Sequence, residues 1–472
     1  MTEFIDPRTL QTKRPRTRRD TTILAKNKVA RWAFVTEVLG RFVTRQRRPP
    51  SPRGKDNLKT KPRRGLVNVA FFGHFNGSNF GNEATFYAIL YHLRRSHPDA
   101  QVTCICSGPR STAATYHIDA IPYEKSTFAV SWGPRNRLLW LVRRVLLVVS
   151  EPTQWAHALR HIRRKHMLIV PGTGLLNDAT GVYGWGPHNL FRWCLLAKLC
   201  RCKVLLVSVG AGPLYGLRGR WLVKSILRLA DFRSYRDEST FDYLTNLGFH
   251  VAGDPIYPDL AYSLPHALLP RPEIRNHCRS VVGLGVMEYA GKYSVNNPTN
   301  ATYHAYLDHF STFAKWLLER KYDVKLLSGD LRDDRSRKEL KDLLRSRTAT
   351  HEYERIIDES PESIDSLFSH IAETDIVIAT RFHNILLALL SNKPVIAISF
   401  HHKCRSLMRS VGLEKYCLDI NDFSADSLIE TFVDLRKNAD DVIAQSSEKA
   451  RQFCDALDEQ YQTIFRDMWP VD

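Results

Sequence analysis

The chain has 472 residues, 43% of them hydrophobic and 25% charged, a globular composition that excludes a wholly disordered or fibrous protein. Its net charge of +19 is uneven: residues 1–64 hold 19 Lys and Arg against 5 Asp and Glu, which leaves the rest of the chain at only +5 and excludes a uniformly polycationic body. Nine cysteines without a C-x-x-C pair do not match zinc spacing and fit free thiols in a reducing compartment, so no metal site is expected.

Residues 1–64 are rich in Arg, Lys, Pro and Thr and lack the apolar core of a secretory signal. They read as a basic, largely disordered tail with a helix near Ile23–Phe42. Such a tail suits peripheral contact with an anionic membrane. It carries no base-reading motif, so nucleic acid is not the expected partner. The resulting expectation is a cytoplasmic protein with at most peripheral membrane contact. The most apolar run, Leu138–Val149, is too short for a span and is split by Arg143 and Arg144. It reads as a buried or surface helix, with contact to a bilayer surface as the lesser reading.

The body opens with a buried strand from Leu66, then a loop rich in Gly and Asn, then a helix starting near Glu83. This strand–turn–helix lacks G-x-G-x-x-G and the P-loop lysine, so a plain NAD or ATP site is poorly supported. Gly77 and Gly81 would let backbone N–H groups approach an anion, and Asn79 and Asn82 stand in the same loop. A strand follows at Gln101–Cys106. The strand from Met167 ends in a turn with Gly172 and Gly174, and the strand from Lys203 repeats that design with Gly210. A short strand ends in Arg236-Asp237-Glu238. Asp254 and Asp259 in the Pro-rich loop beyond it read as turn formers.

After a linker near residues 266–279 a second half begins: a strand from Ser280, an amphipathic helix over Thr302–Arg320, a strand, and a charged helix over Asp333–Arg345. The stretch from Glu373 to Phe400 is the most legible. It gives a buried strand (Asp375–Ala379), a turn (Thr380–His383), a helix (about Asn384–Ser391) and a second buried strand (Val395–Ser399), a parallel βαβ unit. Ligands of such sheets bind beyond the strands' carboxyl ends, where Arg381 and His383 stand at a helix N-terminus suited to an anion. The expected architecture is α/β, two Rossmann-like domains facing a cleft, over 65–265 and 280–423, with a helical segment at 424–472.

FNGSNFGNEATFYAIL, VPGTGLLND, VSVGAGPL, SYRDEST and ATRFHNILLALLSNKPVIAISFHHK, in this order, resemble the polysaccharide pyruvyl transferase family over roughly residues 66–420. Arg381, Phe382, His383, Pro394 and Lys403 fit that family's last block. Asn82 replaces the acid of its N-x-G-D-E loop, Thr380 its usual Ser, and His401-His402 a Tyr-Asp-like pair. The resemblance implies a GT-B-like fold and transfer of a ketal pyruvyl group from phosphoenolpyruvate to two hydroxyls of a free, lipid-linked or polymeric glycan. No cofactor beyond that donor is expected. Proton transfer then falls to His383, with Glu83 as second candidate. Arg236, Arg381 and Lys403 are the expected anion ligands, and Asn79, Gly81, Asn82, Gly172, Gly174 and Gly210 line the site. His383, with an ordinary pKa of about 6.5, would reach either protonation state near neutrality. The alternatives are a GT-B glycosyltransferase using a nucleotide sugar, and a non-enzymatic binding protein acting through its basic tail.

Overall fold

A computed structural model describes residues 66–75, 79–124, 137–179, 181, 186–265, 268, 279–289 and 301–470, with backbone alone for 137–149. The chain divides into two units, Met1–Arg63 and Arg64–Asp472. The basic tail with its helix near Ile23–Phe42, and Gly77 of the first loop, lie outside the described residues.

The second unit holds two six-stranded parallel sheets. In the first, β1 (Asn68–Gly73), β2 (Gln101–Cys106), β3 (Asp119–Pro122), β4 (Met167–Pro171), β5 (Lys203–Val209) and β6 (Phe232–Tyr235) run in the order 3-2-1-4-5-6. In the second, β7 (Val281–Gly285), β8 (Asp323–Leu327), β9 (Ile356–Asp358), β10 (Ile376–Ala379), β11 (Val395–Ser399) and β12 (Cys417–Asp419) run 12-11-10-7-8-9. That is the same Rossmann order read from the other edge, so each half is doubly wound.

Helices connect the strands of the first half: α1 (Phe80–Ser96), α2 (Pro109–Tyr116), α3 (Arg137–Ile162), α4 (Pro187–Leu199), α5 (Leu217–Leu229) and α6 (Glu238–Asn246). The second half carries α7 (Ala301–Glu319), α8 (Asp334–Arg347), α9 (Thr350–Tyr353), α10 (Ile364–Ala372), α11 (Phe382–Leu390), α12 (His402–Ser410), α13 (Ala425–Lys437) and α14 (Ala439–Gln462). Local chemistry sets several starts. Asn79 and Asp237 accept backbone N–H bonds of α1 and α6, and Pro109 and Pro187 open α2 and α4.

Strand alternation divides the core. Val69, Phe71, Met167 and Ile169 face one side of the first sheet and join a core continuous with the second half. Ala70, Phe72, Leu168 and Val170 face the other side and pack under α3, α4 and α5. Each fully buried large side chain contributes about 1.5–3 kcal/mol, which is why these strands tolerate no polar face.

The C-terminal segment does not stand apart. Gln445 of α14 donates to the Gly412 carbonyl (3.2 Å) in the second half. Further along, Cys454 meets the Tyr262 carbonyl, Tyr461 Oη lies 2.8 Å from Ser263, and Trp469 stacks on His97 in the first half. Gln460 Oε1 accepts from Ser234 Oγ (2.6 Å), and Gln460 Nε2 donates to Ser208 Oγ (3.0 Å). Ser208 has φ of 48°, inside the register shift between Leu206 and Val209. The last helix therefore secures the irregularity that leads into Gly210 and Arg236.

Candidate active site

The site lies where the carboxyl ends of the two sheets meet, and glycines of the first half make room for it. The helix after β10 starts two residues earlier than the sequence suggests: Arg381 is the N-cap of α11, and His383 sits in its first turn. The His383 ring packs on Gly81, where a β-carbon would lie 1.9 Å from its Cγ and Nδ1. A β-carbon on Gly174 would lie 3.2 Å from Lys403 Nζ, and one on Gly210 would lie 3.0 Å from Arg236 Nη2. Three titratable or cationic side chains are thus each seated on a glycine at the start of α1 or just past β4 and β5. Gly172, at φ 31°, instead gives room to the Thr85 methyl, so it shapes the turn.

Arg236 is buried. It donates to Asp259 (3.2 Å) and to Asp237 (3.5 Å), and its guanidinium lies 4.8 Å from the Phe382 ring centroid in the other half. Burial opposes its charge, but Asp259 and Asp237 outweigh that and hold its pKa above the ordinary value. Asp259 has the sequence setting of a turn former. It is also the buried counter-ion of Arg236, and a Pro-rich loop gives no signal of that. Asp254 pairs instead with Arg233 at 2.8 Å.

Arg381 was expected to present its fork to an anion. Nε donates to Asp333 at 2.9 Å and Nη2 also donates to Asp333, a fully buried carboxylate. The structure thus closes this fork on Asp333, an acid placed at the start of the charged helix.

The imidazoles depart from their ordinary behaviour. Burial, together with Arg236, Arg381 and Lys403, brings His383 down to about 4 against the pull of Asp259. The expectation of a ring titrating near 6.5 is therefore corrected: packing against Gly81 and three nearby cations make it neutral at pH 7. His401 falls to about 3 through burial and Lys403, and its Nδ1 accepts from the Lys403 backbone N–H (3.3 Å), capping α12. Lys403 itself is lowered to about 8 by burial and Arg236, which brings its proton exchange near neutrality.

Other expected residues serve the framework. Asn79 Oδ1 accepts from the N–H groups of Gly81 and Asn82 (both 3.1 Å), and Asn79 Nδ2 reaches Asp330 in the other half (3.4 Å). Asn82 Nδ2 donates to the His74 carbonyl at 3.1 Å, a bond an ionised Asp cannot make. Glu83 is not brought to His383. It is buried and accepts from Tyr116 Oη at 2.6 Å, because two residues along α1 from Gly81 its side chain leaves on the inner face.

The fold and this seam define a GT-B-type α/β protein. S. aureus MnaA in complex with UDP superposes with a TM-score of 0.54 at 11% identity, covering 84% of this chain and 96% of that one. The UDP-GlcNAc 2-epimerase of Neisseria meningitidis bound to UDP-GlcNAc gives 0.50 at 11%, covering 84% and 100%. A further UDP-N-acetylglucosamine 2-epimerase gives 0.52 at 12%, covering 87% and 99%. At such identities the likeness is one of fold. No curated protein sequence matches the chain. Residues 79–402 match the family described as Polysaccharide pyruvyl transferase, which is more than half of the chain: it belongs to the polysaccharide pyruvyl transferase family.

Proposed function

We propose that this protein moves a pyruvyl group from phosphoenolpyruvate to two hydroxyls of a sugar in a glycan, forming a cyclic ketal and releasing phosphate. The observation that carries the reading is the convergence of His383, Lys403 and Arg236 on Gly81, Gly174 and Gly210 within the family's matched region.

Phosphoenolpyruvate carries a phosphate and a carboxylate. Cations and N–H donors in a water-poor seam suit such an anion. A proton added to the terminal carbon of its double bond makes the adjacent carbon electrophilic, and the first sugar hydroxyl attacks it and loses its proton. Phosphate then leaves with the C–O electron pair, and the second hydroxyl closes the ketal, its proton passing to the departing phosphate. His383 is neutral beforehand, through burial first and the three cations second; an arriving anion offsets the cations' share and favours the charged, acidic form. Lys403, at about 8, is the second proton carrier in reach. Binding of the donor is thus coupled to proton uptake.

The test is incubation with phosphoenolpyruvate and a panel of glycans, with phosphate release and acceptor mass followed together. Phosphate release matched by acceptor gain of a carboxyethylidene group supports the reading. Transfer from a nucleotide sugar with no use of phosphoenolpyruvate would favour the glycosyltransferase alternative.

A further inference from the structure

We propose that the N-terminal end of α5 is a docking surface for an anionic lipid bilayer. Tyr215, Leu217 and Trp221 are 64%, 82% and 60% exposed, three large apolar side chains within seven residues. Isolated exposed hydrophobics are ordinary, but a cluster ringed by charge marks an interaction surface. The charged side chains carried by this loop and helix are of one sign. Arg218, Arg220, Lys224 and Arg228 all lie on α5, and no Asp or Glu occurs between Asp178 and Asp231, a stretch with eight Lys and Arg. Aromatic and aliphatic tips beside basic residues match the chemistry of an anionic interface, where apolar groups enter the acyl boundary and cations meet headgroups.

The patch is built to be held out. Asp178 accepts from the backbone N–H groups of Tyr215 (2.7 Å) and Gly216 (2.9 Å), and Arg220 Nε donates to the Leu214 carbonyl (3.2 Å). Gly219 lets α5 pass Asp178, since a β-carbon there would lie 2.2 Å from Oδ2. Trp221 leans on Phe191 of α4, with ring centroids 5.6 Å apart. Next to α4 packs α3, whose sequence includes the apolar run Leu138–Val149 with Arg143 and Arg144. The loop bearing Tyr215 begins at Gly210, which seats Arg236, so the patch and the candidate site share one edge of the first half. A second copy of the chain is a poor occupant, because a symmetric interface would bring like charges face to face.

The test is co-sedimentation of the full chain with vesicles of phosphatidylcholine alone or mixed with phosphatidylglycerol, at near-physiological salt. The wild type is expected on the mixed vesicles and not on phosphatidylcholine. Leu217→Ser with Trp221→Ser lowers partitioning about tenfold or more with unchanged thermal unfolding, as both side chains are exposed. Lys224→Gln with Arg228→Gln weakens it about fivefold per charge and flattens the salt dependence. Absence of wild-type binding overturns the proposal. So does undiminished binding of both variants, which would assign the lipid contact elsewhere, the basic tail included. Dimerisation that the Leu217/Trp221 variant abolishes, without vesicle binding, would make the patch a protein interface.

Discussion

The imidazole of His383 rests directly on the backbone of Gly81, at a distance that leaves no space for a β-carbon. One residue belongs to the first turn of α1 and the other to the first turn of α11, so the contact joins the two halves at the candidate site. Register between the halves and placement of the ring are therefore one geometric condition.

Gly81→Ala tests this condition. A methyl group 1.9 Å from the ring must displace it, and overpacking of this kind costs about 1–3 kcal/mol, although Ala favours a helix over Gly. Urea unfolding should show the loss in Gly81→Ala and its recovery in Gly81→Ala with His383→Ala. A single variant as stable as wild type would mean that the seam yields freely.

Arg236→Ala removes one partner of a buried ion pair and leaves Asp259, 3% exposed, without its counter-ion. Breaking such a pair typically costs about 3–5 kcal/mol. The expected result is a clear drop in stability, together with roughly tenfold or greater loss of phosphoenolpyruvate affinity. If Arg236→Ala unfolds like wild type, the ion pair is dispensable. Wild-type donor affinity would remove this residue from the anion site.

Stability should also fall on mild acidification. In the unfolded chain His383 and His401 titrate near 6.5, whereas the folded protein lowers them to about 4 and about 3. Between these values the unfolded chain binds more protons, so stability is full above about 6.5 and declines as pH drops below it, by up to roughly 1.4 kcal/mol per pH unit for each ring. Urea unfolding at about pH 7.5 and about pH 5 measures the slope. His401→Gln should flatten it, and a stability that rises toward pH 5 would contradict the neutral rings.

Much of the fold is legible because parallel strands covered on both faces are apolar over most of their length. The sequence pattern gives Gln101–Cys106 and Val395–Ser399 the bounds that the structure shows. Short edge strands are not legible in this way: Asp119–Pro122 is partly exposed and carries no such run. The return of α14 to the first half was also hidden, since helical periodicity names an apolar face but not its partner. At the site, the glycines and His383 stood out by their turns. The counter-ions Asp259 and Asp333 did not, because Arg236 and Arg381 find them 23 and 48 residues away in sequence, and nothing local encodes such pairings.

Asn82 marks a departure from the family's loop that the structure explains. Asn82→Asp turns the donor to the His74 carbonyl into an acceptor and should cost about 1–3 kcal/mol, read by chemical denaturation. An equally stable Asp variant would show that the amide donation carries no weight and that the acid is tolerated here.

The role of His383 as proton carrier is tested most directly by steady-state kinetics of His383→Ala and His383→Gln at saturating phosphoenolpyruvate. Turnover by the alanine variant is expected to fall at least on the order of a hundredfold without recovery in excess donor, while the glutamine variant keeps part of its donor binding. Wild-type turnover by His383→Ala at saturation, with only KM raised, would make the ring a ligand for the anion and pass the proton to Lys403.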